Sequence, residues 1–124
     1  MIINEKIKIS DLQSKLNNFW RISGEKILSI EREYDPKNGS PVFTVKGKYS
    51  TRGWTEWTQG LQYGSAILQF DATKDEQFLD IGRSSTVNKM ASHVAHFGVH
   101  HHGFNNVSTY GNLLRLMKSN HLSK

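Results

Sequence analysis

The chain has 124 residues, of which 36% are hydrophobic and 22% charged, so it has the size and composition of one folded domain. It has no cysteine, which excludes disulfides, thiolate metal sites and cysteine nucleophiles and fits a cytoplasmic location. The formal net charge is +5, but the Lys and Arg residues are scattered and no basic run is interleaved with aromatic residues. We therefore expect no nucleic-acid partner and interpret the charge as solvated surface. No apolar run approaches the roughly 20 residues that span a bilayer, so we expect no membrane partner either.

The first predicted element is a helix over residues 10–33. Ser10 and Gln13 match a capping box. Apolar residues then recur at three- and four-residue steps from Leu12 to Ile30, which is the spacing of one buried helix face. The stretch "DPKNGSP" at 35–41 breaks the chain, and residues 42–50 favour a short extended or hairpin segment.

Three more helices are predicted in the rest of the chain. One runs from Thr55 to Phe70, and a capping box of Thr73 with Glu76 indicates the next, over 74–91. A fourth is expected over 108–118. The predicted fold class is all-α, with about four helices and at most a token amount of β-structure.

The second helix opens with an unusual mixture of aromatic and small residues, "WTEWTQGLQYGS". Glycine inside a helix costs about 1 kcal/mol relative to alanine, so its presence indicates a need for close approach. Two interpretations follow. The segment is either a wall on which a sugar ring stacks or an aromatic core with closely packed helices.

Histidines crowd the segment before the fourth helix, where we expect a glycine-bounded turn at 98–104. His96 and His100 have a helical ligand spacing, and His93 lies one turn before His96. No Asp or Glu occurs between 81 and 124 to complete or orient a metal site. The sequence therefore predicts no specific metal site, although a metal-binding histidine cluster stays open as an alternative.

Two segments, in this order and separation, resemble the unsaturated glucuronyl hydrolases of glycoside hydrolase family 88 and their relatives acting on unsaturated rhamnogalacturonan fragments. The first, "WTQGLQYG" at 57–64, is similar to that family's W-T-x-G-F-W-x-G segment. The second, "HHHGF" at 100–104, is similar to its His-Asp-x-Gly-Phe turn, and Ser108 and a Tyr-Gly pair follow as in the family. The similarity extends over residues from about 8 to 118.

The resemblance implies an (α/α)6 toroid and a hydrolase without metal or other cofactor. Its substrates would be anionic oligosaccharides that end in an unsaturated uronic acid, the products of polysaccharide lyases. In the family an Asp protonates the vinyl ether and activates water. The matching catalytic position here is His101, and the matching substrate-binding positions are Trp57, His100, Phe104 and Ser108.

Two departures from the family lead us to expect little or no activity. A histidine stands at the Asp position, and the resembled enzymes run to several hundred residues. We therefore expect residues 1–124 to be a single partial domain, the amino-terminal portion of an incomplete toroid, whose exposed helix faces allow self-association. The alternatives are a non-catalytic saccharide-binding or interaction fragment, and the metal-binding module.

Overall fold

A computed structural model describes residues 6–97 and 100–122, and these form a mostly helical chain with one small sheet. The longer helices are α1 (Gln13–Glu33), α2 (Thr58–Thr73) and α3 (Glu76–Lys89). Shorter ones follow: α4 (Ser92–Ala95), α5 (His101–Asn106), a π-helical turn (Val107–Gly111) and α6 (Asn112–Lys118). Single 3₁₀ turns lie at Ile9–Leu12 and Pro36–Asn38. The prediction of a largely helical chain is confirmed.

The hairpin expected near 42–50 is present as β1 (Ser40–Val45) paired antiparallel with β2 (Lys48–Arg52). Lys46 and Gly47 form its turn, and both have positive φ, at 50° and 77°. Two consecutive residues of positive φ match the twist of a two-residue hairpin, which is why glycine is suited to the second position.

The predicted capping boxes at the starts of α1 and α3 are wrong in their residues. Ahead of α1, the Lys8 N–H donates to the Asp11 carboxylate at 2.9 Å. Thr73 is the last residue of α2, and Asp75 caps α3 by accepting from the Gln77 N–H at 3.1 Å. Lys74 separates the two helices in the left-handed conformation, with φ of 60°.

The expected turn at 98–104 is also wrong where the structure describes it, because helix α5 already begins at His101. Residues 98 and 99 lie outside the described part of the chain. Gly103 is exposed within α5, whereas His102 and Asn105, three positions apart, are buried on one face. Burial of that face favours a helix despite the glycine.

The hydrophobic core lies where α2 packs against α3 and α6. Its buried members are Ile67, Phe70, Phe78, Leu79 and Leu116, with Ile27, Leu28, Leu113 and Leu122 packed against them. Only the carboxyl-terminal half of α1 reaches this core. The side-chain amide of Gln69 anchors that helix by donating to the Trp20 carbonyl at 2.8 Å.

The amino-terminal half of α1 leaves its apolar face in solvent. Leu16, Phe19 and Ile22 are all exposed, Phe19 by 56%, as is Leu12 directly before the helix. The expectation of exposed apolar helix faces is thus confirmed, while self-association through them stays a prediction. Within the described ranges, no helix is both long and apolar enough to span a lipid bilayer.

Two glycines allow α2 to approach α5 and the π-helical turn closely. A Cβ atom on Gly60 would lie 2.4 Å from the Asn105 Cα, and one on Gly64 would lie 2.5 Å from the Ser108 carbonyl oxygen. Neither separation is possible for real atoms. The closely packed helices of the second interpretation are therefore confirmed. Its aromatic core is not, because Trp54 and Trp57 are exposed and only Tyr63 of these aromatic residues is buried. The close packing positions the site described next.

Candidate functional site: a histidine cluster under an exposed tryptophan

Three histidines from the segment that follows α3 lie together with one tryptophan, and we call these four residues the histidine cluster. His93 lies in α4, His96 directly follows α4, and His102 lies in the first turn of α5. The Nδ1 atoms of His93 and His102 are 2.7 Å apart, and His102 Nε2 is 2.7 Å from His96 Nδ1. Since His93 and His102 are buried and His96 is exposed, the hydrogen-bonded rings lead from the interior to the surface.

The fourth member, Trp54, lies in the segment between β2 and α2 and contacts all three imidazoles. Its ring stacks on His102, with centroids 5.9 Å apart and planes inclined by 12°. It meets His93 and His96 edge-on, at 5.4 and 5.1 Å. Trp54 remains 42% exposed, so the cluster presents an aromatic surface to solvent.

The inner end of the cluster is held by the amino-terminal turn of α2. Gln59 Oε1 lies 3.0 Å from His93 Nε2, and Asn105 Nδ2 lies 3.1 Å from His93 Nδ1. The Asn105 amide also accepts from the Gly60 N–H and donates to the Glu56 carbonyl. Asn105 thus joins α5 to α2 at the base of the cluster.

The backbone around the cluster is fixed by further side-chain bonds. Asn106 Nδ2 donates to the His93 carbonyl at 2.9 Å, and Thr109 Oγ1 donates to the Asn105 carbonyl at 2.6 Å. The second of these bonds lies in the π-helical turn, a kind of helix irregularity that is frequent at functional sites.

The surroundings favour neutral imidazoles in the two buried histidines. Burial, with the neighbouring imidazoles of His102 and His96, lowers the pKa of His93 below its ordinary value. Burial, with those of His96 and His101, likewise lowers the pKa of His102. Desolvation disfavours the charged ring, and adjacent rings cannot all be protonated without repulsion.

Stability should therefore fall as the pH is lowered. A lowered folded-state pKa means that the unfolded chain binds protons more readily than the folded one, so the full stability is present above about pH 6.5 and declines below it. We expect the melting temperature to drop between about pH 7.5 and 5, and to drop less in His102→Gln. The exposed control His100→Gln should show the same dependence of melting temperature on pH as the wild type. If His102→Gln also showed the wild-type dependence, His102 would not be one of the histidines that lower stability in acid.

The cluster is not arranged around one metal ion. His102 uses each ring nitrogen for a different neighbour, so no single point is close to a lone pair of all three rings. Among residues 6–97 and 100–122, no group of three or more His, Cys, Asp or Glu side chains is placed to hold a metal. The His96–His100 spacing noted in the sequence does not form a helical ligand pair, because α4 ends at Ala95.

The residues predicted from the sequence to form the site lie around this region in different environments. The rings of His100 and His101 contact each other, with centroids 4.3 Å apart. Trp57 and Phe104 are exposed, and Ser108 is partly buried in the π-helical turn. In the described part of the chain it is Trp54, not Trp57, that makes ring contacts with histidines. That Trp57, His100, His101 and Phe104 line one concave surface, with Ser108 nearby, stays a prediction.

Sequence reasoning missed the residues that build the cluster. It considered His93 and His96 only as metal ligands, and it overlooked Trp54, Gln59 and Asn105. A usable signal was the spacing of His102 and Asn105, which places two polar residues on one helix face. No protein-family model matches this chain, and no curated protein or solved structure matches it.

Proposed function

We propose that the chain belongs to the lineage of unsaturated uronyl hydrolases and binds an oligosaccharide ending in an unsaturated uronic acid. In this proposal its helices form part of an (α/α)6 toroid. The observation that supports it best is the half-exposed indole of Trp54 lying on hydrogen-bonded imidazoles. An aromatic platform beside a few convergent polar groups is the usual composition of a small-molecule site.

The ligand would occupy the outer side of the histidine cluster. Its ring would stack on Trp54, whose inner face is already occupied by His102. The adjacent His100–His101 pair would face the uronate carboxylate, and the formal net charge of +5 would favour the approach of an anion. Trp57, Phe104 and Ser108 would complete the rim.

Efficient hydrolysis is not part of the proposal. The resembled enzymes place a carboxyl group where this chain has His101. An imidazole cannot supply an anion opposite a developing positive centre, and loss of general acid–base help typically costs 10²–10⁴-fold in rate. We therefore expect binding of the unsaturated sugar with little or no turnover.

Titration calorimetry with an unsaturated glucuronyl disaccharide tests this proposal. The wild-type chain should bind the disaccharide, and Trp54→Ala should bind it about tenfold more weakly or worse, because the stacking surface is removed. The control Phe43→Ala removes an aromatic ring that is 59% exposed on the hairpin and should bind like the wild type. Circular dichroism verifies that both variants are folded.

Three results would contradict the proposal. The first is no binding by the wild-type chain, and the second is unchanged affinity in Trp54→Ala. The third is rapid loss of the disaccharide's ultraviolet absorbance with the wild-type chain, which would show that His101 does not prevent turnover. Binding that required added zinc would instead favour the metal-binding alternative.

A further inference from the structure

The direction of every hydrogen bond in the histidine cluster follows from the orientation of one amide, that of Asn105. Its Oδ1 lies 2.8 Å from the Gly60 N–H, which can only donate, and its Nδ2 lies 3.1 Å from the Glu56 carbonyl oxygen, which can only accept. These two backbone groups therefore fix which end of the amide carries hydrogens. The end that faces the ring of His93 is Nδ2, so Asn105 donates to His93 Nδ1.

His93 must then carry its hydrogen on Nε2. A neutral imidazole has one N–H, and Nδ1 is needed as an acceptor. On the opposite side of the ring, Gln59 Oε1 lies 3.0 Å from Nε2 and accepts that hydrogen. The orientation of Asn105, fixed by two backbone groups, thus determines this tautomer, and the position of Gln59 Oε1 is consistent with it. His102 and Asn105 share the single Nδ1 lone pair, with His102 at the shorter distance of 2.7 Å.

The tautomer of His93 determines the tautomers of His102 and of the exposed His96. His102 donates through Nδ1–H, so its Nε2 has no hydrogen and accepts. His96 lies 2.7 Å from that atom and must donate through its own Nδ1–H. The Nε2 atom of His96 therefore carries a free lone pair. Within residues 6–97 and 100–122 this atom has no hydrogen-bond partner, and its side chain is exposed.

We call the hydrogen-bonded rings of His93, His102 and His96 the imidazole relay. We propose that Asn105 is a positioning residue that sets which ring nitrogens of the relay donate and which accept, so that His96 Nε2 is the proton-accepting atom of the site. The identity of the ligand rests on the proposed function, whereas the relay itself does not. His96 Nε2 accepts from a sugar hydroxyl or a water molecule. It disfavours a carboxylate at the same place, which directs the uronate group toward the His100–His101 side. A neutral His96 also has no proton on Nε2 to give to a vinyl ether.

Long-range proton–nitrogen NMR on a chain with ¹⁵N-labelled histidine reads the tautomers directly. At about pH 8, where the rings are neutral, His93 should be the Nε2–H tautomer and His96 and His102 the Nδ1–H tautomer. A hydrogen on Nε2 of neutral His96 in the wild-type chain would overturn the proposal. This measurement needs neither ligand nor substitution.

Asn105→Asp should reverse the relay. A carboxylate at 105 accepts rather than donates, so His93 would carry its hydrogen on Nδ1, His102 on Nε2 and His96 on Nε2. The matched control is Asn106→Asp, since the Asn106 amide bonds to the His93 backbone carbonyl and not to a ring. It should leave all tautomers as in the wild type. A folded Asn105→Asp chain with unchanged tautomers would overturn the role of Asn105, and if that variant does not fold, the wild-type tautomers still decide.

Adding the unsaturated disaccharide separates this proposal from the proposed function. Binding should shift the His96 Nε2 resonance in the direction of an accepted hydrogen bond and should leave His93 Nε2 nearly unchanged. If the tautomers are as proposed but the disaccharide produces no shift at any concentration, the proposed function is wrong and the relay stands. If the disaccharide binds and His96 Nε2 does not respond, His96 is not the accepting group.

Discussion

Replacing Gly60 by alanine is expected to lower the free energy of unfolding by about 2–4 kcal/mol and to disrupt the histidine cluster. The new Cβ would lie 2.4 Å from the Asn105 Cα and 2.7 Å from its Oδ1, so α2 and α5 must separate. Overpacking of this kind typically costs about 1–3 kcal/mol, and loss of the Gly60–Asn105 hydrogen bond adds to it. Urea unfolding measures the change, and NMR of the histidine rings should show the cluster disturbed.

Gly103→Ala is the matched control, because Gly103 is also helical and also beside the cluster. A Cβ atom there would meet nothing within 4 Å. Alanine is the better helix former, so this variant should be more stable than the wild type by roughly 0.5–1 kcal/mol. Equal stability of the two alanine variants would show that α2 and α5 are not in the described contact.

A second large loss of stability is expected when Leu116, the fully buried residue of α6, is replaced. Its side chain is 0% exposed and lies in the hydrophobic core with Ile67, Phe70, Phe78 and Leu79. Leu116→Ala removes buried methyl groups and leaves a cavity, and such changes cost about 2–5 kcal/mol. The midpoint of urea unfolding should fall accordingly.

Leu114→Ala makes the same chemical change two positions away in α6, where the side chain is 51% exposed. Surface substitutions usually change the free energy of unfolding by no more than about 0.5 kcal/mol. Both variants replace leucine by alanine in the same helix. The difference between their free energies of unfolding therefore measures the effect of burial, separately from helix propensity. Similar losses at both positions would mean that α6 does not pack against α2 and α3 as described.

The helices themselves were largely predictable from the sequence, because their apolar residues follow the helical period. The residues at which the helices begin and end were less predictable. Thr73 and Asp75 are both good capping residues, two positions apart. Because α2 continues through Thr73 and ends in the left-handed backbone at Lys74, it is Asp75 that caps α3. The start of α5 was missed for a related reason, since Gly103 and adjacent histidines indicate a turn unless the burial of His102 and Asn105 is known.

The candidate site was only partly predictable. The crowding of histidines pointed to the right part of the chain, but not to the residues that organise it. Trp54 lies outside any helix or strand, where no periodicity indicates which way a side chain faces. The bond from the Gly60 N–H to Asn105 joins residues 45 positions apart, and such a pairing depends on how whole helices pack. Whether Trp57, His100, His101, Phe104 and Ser108 bind substrate stays a prediction.

The uneven packing of α1 makes its stability uneven along its length. From Trp20 onward the helix is tied to α2 and α3, through the bond from Gln69 and the contact of Gly24 with Phe78. The turns around Leu12 and Leu16 are held mainly by their own backbone bonds and by exposed polar pairs such as Gln13 with Asn17. An isolated helical turn in water is only marginally stable. Backbone amides in the first turns of α1 can therefore exchange their hydrogens by local fraying, while those beside the core exchange only through larger openings. Although α1 is one continuous helix, its two halves should therefore differ in how strongly their backbone amides are protected from hydrogen exchange.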